Sequence, residues 1–474
     1  MLTRRKFARL GLFSLGLGLA SCTQRNSQMN LNLAQASSDA DLVIWWEQGF
    51  LPEENEQLIQ LVRKWEQATQ RKVDLKLLPV DLIDQQLNKI VADPNHRQVP
   101  DIVYSVGIDT SLAPKMAWQD QLLDLTDVLT PLKPQYTPVA LSQVSYRNKI
   151  RGERSYYALP LWQSDDYIHF WGNLLEEIGF DSQAIPQQWD GFWQFWQKAQ
   201  APLREKGHSK LHSVGLCMSS VGFDTYTSLL MFLDAYNVAV VNEVGEFLLE
   251  MPENRQRFIA ALSQYTGFYT QGFVPEVAMK WTGAGNNTAF LDGSILMTQN
   301  LTLSIPLTQK LANNPYNQDA LQRYQQIVTI DRPLKTDGTP LLTRKGIKQA
   351  IVPKASPHQQ AAKEFLTYLV QPENITPLVQ GFKGRVLPVM PKLLDSPFWK
   401  DSSDPHLSTA LKIYDRPSLI PYEVMHSAFS EVQSQQLWAK TVLKVIQDKA
   451  SPTEAVDWSI AQIKSIWQAW ERQA

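Results

Sequence analysis

The chain has 474 residues, 45 Lys and Arg against 47 Asp and Glu, a formal net charge of −2, 22 Gly and 28 Pro. These globular proportions exclude collagen-like, coiled-coil and wholly disordered classes, and the balanced charge argues against nucleic acid as a main partner. Two Cys exclude a disulfide scaffold, the 7 His show no metal-ligand spacing, and 15 Trp exceed what a core ordinarily requires.

Residues 1–22 read as an export address. Arg4, Arg5, Lys6 and Arg9 form a basic start, and Leu10 to Ala20 is an apolar run of 11, too short to span a membrane as a mature helix. The run ends in Leu19-Ala20-Ser21-Cys22, which suits a lipoprotein signal peptidase, since acylation needs a thiol at the new N-terminus. Thr3-Arg4-Arg5-Lys6-Phe7 resembles the twin-arginine signal, with an ordinary secretory signal as the alternative. Cleavage would leave a mature net charge of −6, Cys22 as the lipidation site, and Cys217 as a buried small hydrophobe. Residues 23–40 are rich in Ser, Asn and Gln and read as a flexible tether. Such a coil reaches roughly 20–25 Å. No later segment has about 20 consecutive apolar residues, so the membrane is touched through the lipid only.

Residues 42–46 (LVIWW) are a continuous apolar run, the pattern of a strand buried on both faces. Pro52 opens a helix with Glu53, Glu54 and Glu56 near its positive end and Leu58, Leu61, Val62 and Trp65 at helical spacing. Val73, Leu75 and Leu77 alternate as a second strand, a helix covers 81–92, and 100–104 is a third strand. That order predicts a right-handed parallel α/β unit. Further strands are expected within 155–171, at 212–219 and at 346–353. Helices are expected over 186–199, 222–235, 253–270 and 356–370. Trp189, Trp193 and Trp196 recur at i, i+4 and i+7, which predicts packing rather than binding. Ser451-Pro452-Thr453-Glu454 forms a capping box that starts the last helix.

The ordered motifs carry a family resemblance. They are Trp45-Trp46-Glu47 at the end of the first strand; Val99-Pro100-Asp101-Ile102-Val103; and Tyr157-Ala158-Leu159-Pro160, followed by His169-Phe170-Trp171-Gly172-Asn173. Then come Phe290 to Met297 (FLDGSILM), Ile351 to Ser356 (IVPKAS), and Gly384-Arg385-Val386-Leu387-Pro388. The chain resembles the family 1 extracellular solute-binding proteins of ABC importers, the maltodextrin-binding-like group. It departs from them at Trp171, where the family often has Asn, and at Asn300-Leu301-Thr302-Leu303, where a sugar-stacking Trp is usual.

The resemblance implies an α/β, two-lobed periplasmic-binding-protein-like fold with a hinge and a ligand cleft between the lobes. It places 41–160 and 305–355 in the first lobe and 161–304 and 356–474 in the second, with crossings near Leu159–Asp165, 300–310 and 350–358. Ligand is then expected at the carboxyl ends of the parallel strands. The candidate contacts are Trp46, Glu47, Trp162, Ser164, Asp165, Asp166, Trp281, Asn300 and Arg385. Each has a structural alternative: a core-facing indole for Trp46, a helix cap for Glu47, a hinge hydrogen bond for Asp165, a lid contact for Trp281, a lobe–lobe salt bridge for Arg385. Asp165 and Asp166 are expected to face the cleft, but strand neighbours diverge and cannot flank one glycosidic bond.

No G-x-S-x-G, H-E-x-x-H or Walker A motif is present in the sequence. The expected function is therefore non-enzymatic, with no metal and no cofactor. The chain is read as a monomeric, lipid-anchored binding subunit that delivers a sugar or oligosaccharide to ABC permease subunits from the extracytoplasmic face. A periplasmic glycan-acting enzyme, or a sensor or scaffold of the same fold, are the alternatives.

Overall fold

The computed structural model describes residues 39–93, 99–312, 317–342 and 344–472. The expected signal, most of the tether and the lipidation site Cys22 lie outside the described residues.

The strands in chain order are β1 (Leu42–Glu47), β2 (Val73–Leu78), β3 (Ile102–Tyr104), β4 (Ser145–Asn148), β5 (Glu153–Tyr156) and β6 (Leu159–Ser164). They continue as β7 (Tyr167–Trp171), β8 (His212–Gly215), β9 (Ile295–Asn300), β10 (Ile327–Ile330), β11 (Gly346–Ile351) and β12 (Leu387–Pro388). One sheet has the order β12-β6-β11-β3-β1-β2 and the other β10-β7-β9-β8, while β4 and β5 form a separate hairpin. The predicted parallel unit is present: β1 pairs in parallel with β2 and with β3, and the helices Pro52–Thr69 and Val80–Ala92 make the returns. β1 is an unbroken apolar run because it is buried on both sides.

Each sheet has its own hydrophobic core, which makes two lobes. The chain first passes between them at Asp165-Asp166, between β6 and β7, where the sequence places the hinge. The later boundaries differ from expectation. β10 pairs with β7, and Ile305, Ile327 and Leu341 pack in the second core, so 305–342 does not join the first lobe. The return crossing comes after Leu341, just ahead of β11, and near the expected 300–310 Leu303 packs in the first core while Ile305 packs in the second.

The helix Gln359–Leu369 buries Ala362, Phe365, Leu366 and Leu369 in the first core, with Phe365 edge-on to Trp65 at 5.5 Å. The chain therefore does not cross at 350–358. It passes to the second lobe after Tyr414, with Tyr422 in the second core and Val424 still packed in the first. A helical stripe shows that one face is buried; it does not show which sheet buries it.

The last helix, Pro452–Arg472, begins as read from its capping box. Ser451 N–H donates to Glu454 Oε2 at 2.8 Å, and Glu454 N–H donates to Ser451 Oγ at 3.2 Å. Trp189, Trp193 and Trp196 lie within the second core, where Trp193 meets Phe268 at 4.9 Å and Phe232 at 5.1 Å. Among the described residues no helix is long and apolar enough to cross a membrane.

Since Trp193 is 1% exposed and packed on four aromatic neighbours, Trp193→Ala is expected to cost about 3–5 kcal/mol through cavity formation. Denaturant melts of the two proteins check this. A loss under about 1 kcal/mol, the range of a surface change, would contradict the core assignment.

Candidate functional site

Side chains that leave the carboxyl ends of parallel strands have no next strand to pack against, and they collect between the lobes. At the end of β1, Glu47 accepts the N–H of Val106, which follows β3, at 2.5 Å. Burial raises its pKa against the pull of Lys348. Glu47 is thus not a helix cap. Glu54 does that work, accepting from Phe50 N–H at 3.1 Å and Leu51 N–H at 3.3 Å.

Arg385 Nη2 donates to both oxygens of the same Glu54 carboxylate, at 2.9 and 3.0 Å, a charge-assisted contact shared between them. Its guanidinium lies 5.0 Å from the Phe50 ring. Both ends of this pair are in the first lobe, so it is not a lobe–lobe bridge. The Nε of Arg385 is buried without a hydrogen-bond partner.

The two tryptophans expected to stack on ligand form a floor instead. Trp46 meets Tyr104 at 4.5 Å, Tyr104 meets Trp162 at 4.9 Å, and Trp162 meets Phe382 at 4.6 Å. Trp46 and Trp162 are 4% and 1% exposed. The accessible apolar surface belongs to other residues: Phe50 is 56%, Val106 41% and Val221 65% exposed, each just past the end of β1, β3 or β8.

The hinge carboxylates also differ from expectation. Asp165 and Asp166 are 1% and 3% exposed, packed at the crossing rather than facing open solvent. Asp165 Oδ1 accepts the Asp166 N–H at 2.9 Å, and Asp166 Oδ2 accepts from Gln299 at 2.6 Å with Arg332 at 3.8 Å. One oxygen of each has no partner. Burial raises Asp165 to about 6 and Asp166 to about 7, with Arg332 opposing both shifts. Ser164 pairs with Gly346, where a Cβ would come within 2.5 Å of the Ser164 hydroxyl, so a larger residue there would make that hydroxyl rotate away.

The remaining candidates serve the second lobe. Trp281 is 5% exposed and packs in that core, its ring against Gly285. Asn300 donates to the Asn287 side chain and accepts from Thr302 N–H at 3.2 Å. The departures from the resembled motif are occupied by packing: Trp171 stacks on Phe290 at 4.8 Å, and Leu303 inserts into the first core.

A buried ionic network was not anticipated from the sequence. Lys348 on β11 donates to Val106 C=O at 2.7 Å and lies 3.5 Å from both Asp109 carboxylate oxygens. Arg344 is 3.8 Å from Asp109, and its guanidinium lies 5.2 Å from the Phe223 ring and 5.6 Å from Tyr226. Tyr226 O–H donates to Glu423 at 2.8 Å. Burial raises Glu423 to about 7, with Arg344 opposing. One signal was present in the sequence: Arg344, Lys345 and Lys348 crowd into and just ahead of a strand that is otherwise mostly apolar. Glu423 and Tyr226 come from distant segments and carried none.

The arrangement offers an exposed ring, an arginine–carboxylate pair and buried charge between two bodies joined by a hinge. This is equipment for holding a polar small molecule reversibly. Among the described residues no group of three or more His, Cys, Asp or Glu is placed to hold a metal ion.

Comparison with known proteins agrees with this geometry. The sequence profile described as "Bacterial extracellular solute-binding protein" matches residues 60–409. No curated protein matches the chain by sequence. Among solved structures, an ABC transporter solute-binding protein from Thermotoga lettingae bound with α-D-tagatose aligns with TM-score 0.69 and 17% identity, covering 90% of this chain and 99% of that one. Maltose-bound MalE3 from T. maritima aligns with TM-score 0.66 and 17% identity, covering 90% and 99%. A sugar transporter protein from Arthrobacter chlorophenolicus with laminaribiose gives 0.68 and 15%, covering 90% and 98%. At these identities the likeness shows the two-lobed fold.

Asp166 has a pKa of about 7 when folded against an ordinary 3.8. Between those values the folded state binds more protons than the unfolded one, so this group makes stability fall as pH rises from about 4 to 7, with no further change above. Asp166→Asn, which keeps an acceptor for Gln299, is expected to flatten that slope in melts recorded from pH 4 to 8. An unchanged slope would contradict the assignment.

Proposed function

Because the chain belongs to the bacterial extracellular solute-binding protein family, we propose that it is the substrate-binding subunit of an ABC importer. It takes a sugar or short oligosaccharide between its lobes and delivers it to the permease subunits. It carries out no chemistry, acts as a monomer, and is held at the extracytoplasmic face by acylation of Cys22.

The observation that carries this reading is Phe50. Its ring is 56% exposed three residues past Glu47, at the carboxyl end of β1 and beside the Glu54–Arg385 pair. A sugar presents a flat C–H face and a rim of hydroxyls. The first lies on an aromatic ring, and the second needs donors and acceptors of the kind Arg385 and Glu47 supply. Closing the second lobe over the first removes water from both faces of the ligand. A micromolar Kd, suited to capture and release, corresponds to about −8 kcal/mol. One aromatic stack supplies about 0.5–1.5 kcal/mol beyond its buried area. The sugars named with structural neighbours, tagatose, maltose and laminaribiose, support the same class.

Isothermal titration of the soluble mature chain against monosaccharides, disaccharides and polyols tests the proposal. At least one sugar is expected to bind, and Phe50→Ala is expected to weaken it roughly tenfold, about 1.4 kcal/mol. Silence across the panel would overturn the sugar reading. For the anchor, Cys22→Ser is expected to move the exported protein from the membrane fraction to the soluble one. Unchanged fractionation would remove Cys22 as the lipidation site.

A further inference from the structure

We propose that His406 of the first lobe, docked on His169 and Thr329 of the second, is an acid-sensitive fastening that holds the two lobes together at neutral pH and lets them part in acid. The inference goes beyond the sugar-binding reading and does not depend on which ligand is bound.

His169 on β7 and Thr329 on β10 stand directly opposite each other in the second sheet. His406 belongs to the helix Pro405–Lys412, whose Leu407 and Ala410 pack in the first core. One hydroxyl joins the three. Thr329 Oγ1 lies 2.9 Å from His169 Nδ1 and 2.6 Å from His406 Nδ1. The other ring nitrogens face backbone carbonyls: His169 Nε2 that of Thr302 at 3.4 Å, and His406 Nε2 that of Tyr324 at 3.3 Å. His169 is fully buried and His406 is 2% exposed.

A threonine hydroxyl has one proton to give. Thr329 therefore donates to one imidazole and accepts an N–H from the other, which two neutral rings satisfy. Two cations cannot. Both Nδ1–H groups would point at the same oxygen, and its own proton would lose its acceptor. Even a single cation has to be held out of water here.

The ionisable groups around the pair compensate little. His169 faces Tyr167, with 6.2 Å between the rings, and His406 itself. His406 faces the Tyr324 ring at 4.9 Å, with Asp404 and Lys310 nearby. Asp404 is already engaged: it accepts from the backbone N–H groups of His406 and Leu407, both at 3.0 Å, and from Lys310 at 2.9 Å. Asp401 lies behind it, near Tyr324 and Lys310. Burial therefore lowers both histidines from the ordinary 6.5, His169 to about 3, with the Asp404 charge opposing at His406.

Once the surfaces separate, water restores the ordinary value. Below about 6.5 the parted surfaces bind more protons than the docked ones, so docking is strongest above that value and weakens as pH falls.

Energy transfer between the lobes tests this in the soluble mature chain carrying Cys22→Ser. Dyes are placed at two exposed positions, Lys400→Cys beside Trp399 of the first core and Lys210→Cys beside Leu211 of the second. From about pH 7.5 to about pH 5 the low-transfer population is expected to grow at least about threefold, with helix content by circular dichroism unchanged. His406→Asn keeps an amide donor for Thr329 and does not titrate, and it is expected to cut that growth by at least about half. Wild-type transfer that ignores pH, a loss of transfer accompanied by loss of helix, or a folded His406→Asn with the wild-type response would each overturn the proposal. Should His406→Asn fail to fold, a nuclear magnetic resonance titration of the histidine-labelled wild type decides: both rings are expected to stay neutral well below 6.5, and either one gaining its proton at 6.5 or above would overturn the fastening.

Discussion

Asp165 and Asp166 are buried at the one place where the chain first leaves one sheet for the other, and Arg332, on the way back, holds their charge in check. Neighbouring buried carboxylates repel each other and lose hydration, so they persist only where a cation and hydrogen-bond donors are built around them. Those partners come from both later parts of the second sheet: Gln299 from β9, and Arg332 just past β10. The requirement ties the first crossing to the return crossing. It also explains why the hinge is polar inside although it is closed to solvent.

Much of the fold was legible because local pattern and long-range pairing agree there. The unbroken LVIWW, the alternating Val73-Leu75-Leu77 and the helices between them can only form a parallel unit, and they do. The Ser451–Glu454 cap is a purely local device and reads without ambiguity. The lobe boundaries were not legible. Ile327 to Ile330 is a short strand that either sheet could accept, and the choice of β7 as its partner is made by packing of residues far away in sequence. The helix Gln359–Leu369 shows the same limit.

The surroundings of the candidate residues were only partly legible. The segments after β1, β3 and β8 hold the exposed apolar side chains Phe50, Val106 and Val221. Within them, alternation along a strand assigns faces but cannot say which face meets open space. Trp46 and Trp162 were attractive because indoles stack on sugars, yet Tyr104 and Phe382 cover them. Phe50 sits three residues beyond Glu47, outside the strand's alternation, and so carried no signal of exposure. Arg385 was expected to clamp a ligand or bridge the lobes, and in the structure it pairs with Glu54. Its partner Glu54 is 331 residues away, and no spacing rule reaches that far.

The two crossings described above lie side by side. β6 is the neighbour of β11 in the first sheet, and β7 is the neighbour of β10 in the second. The two connections differ in length: only Asp165 and Asp166 separate β6 from β7, whereas the return leaves β10 at Ile330, turns back on the second lobe through the Leu334–Gln188 bridge, and reaches β11 only at Gly346. The short outgoing link fixes how far the two bodies can part, and the longer return has slack, so bending between them is expected to centre on Asp165-Asp166.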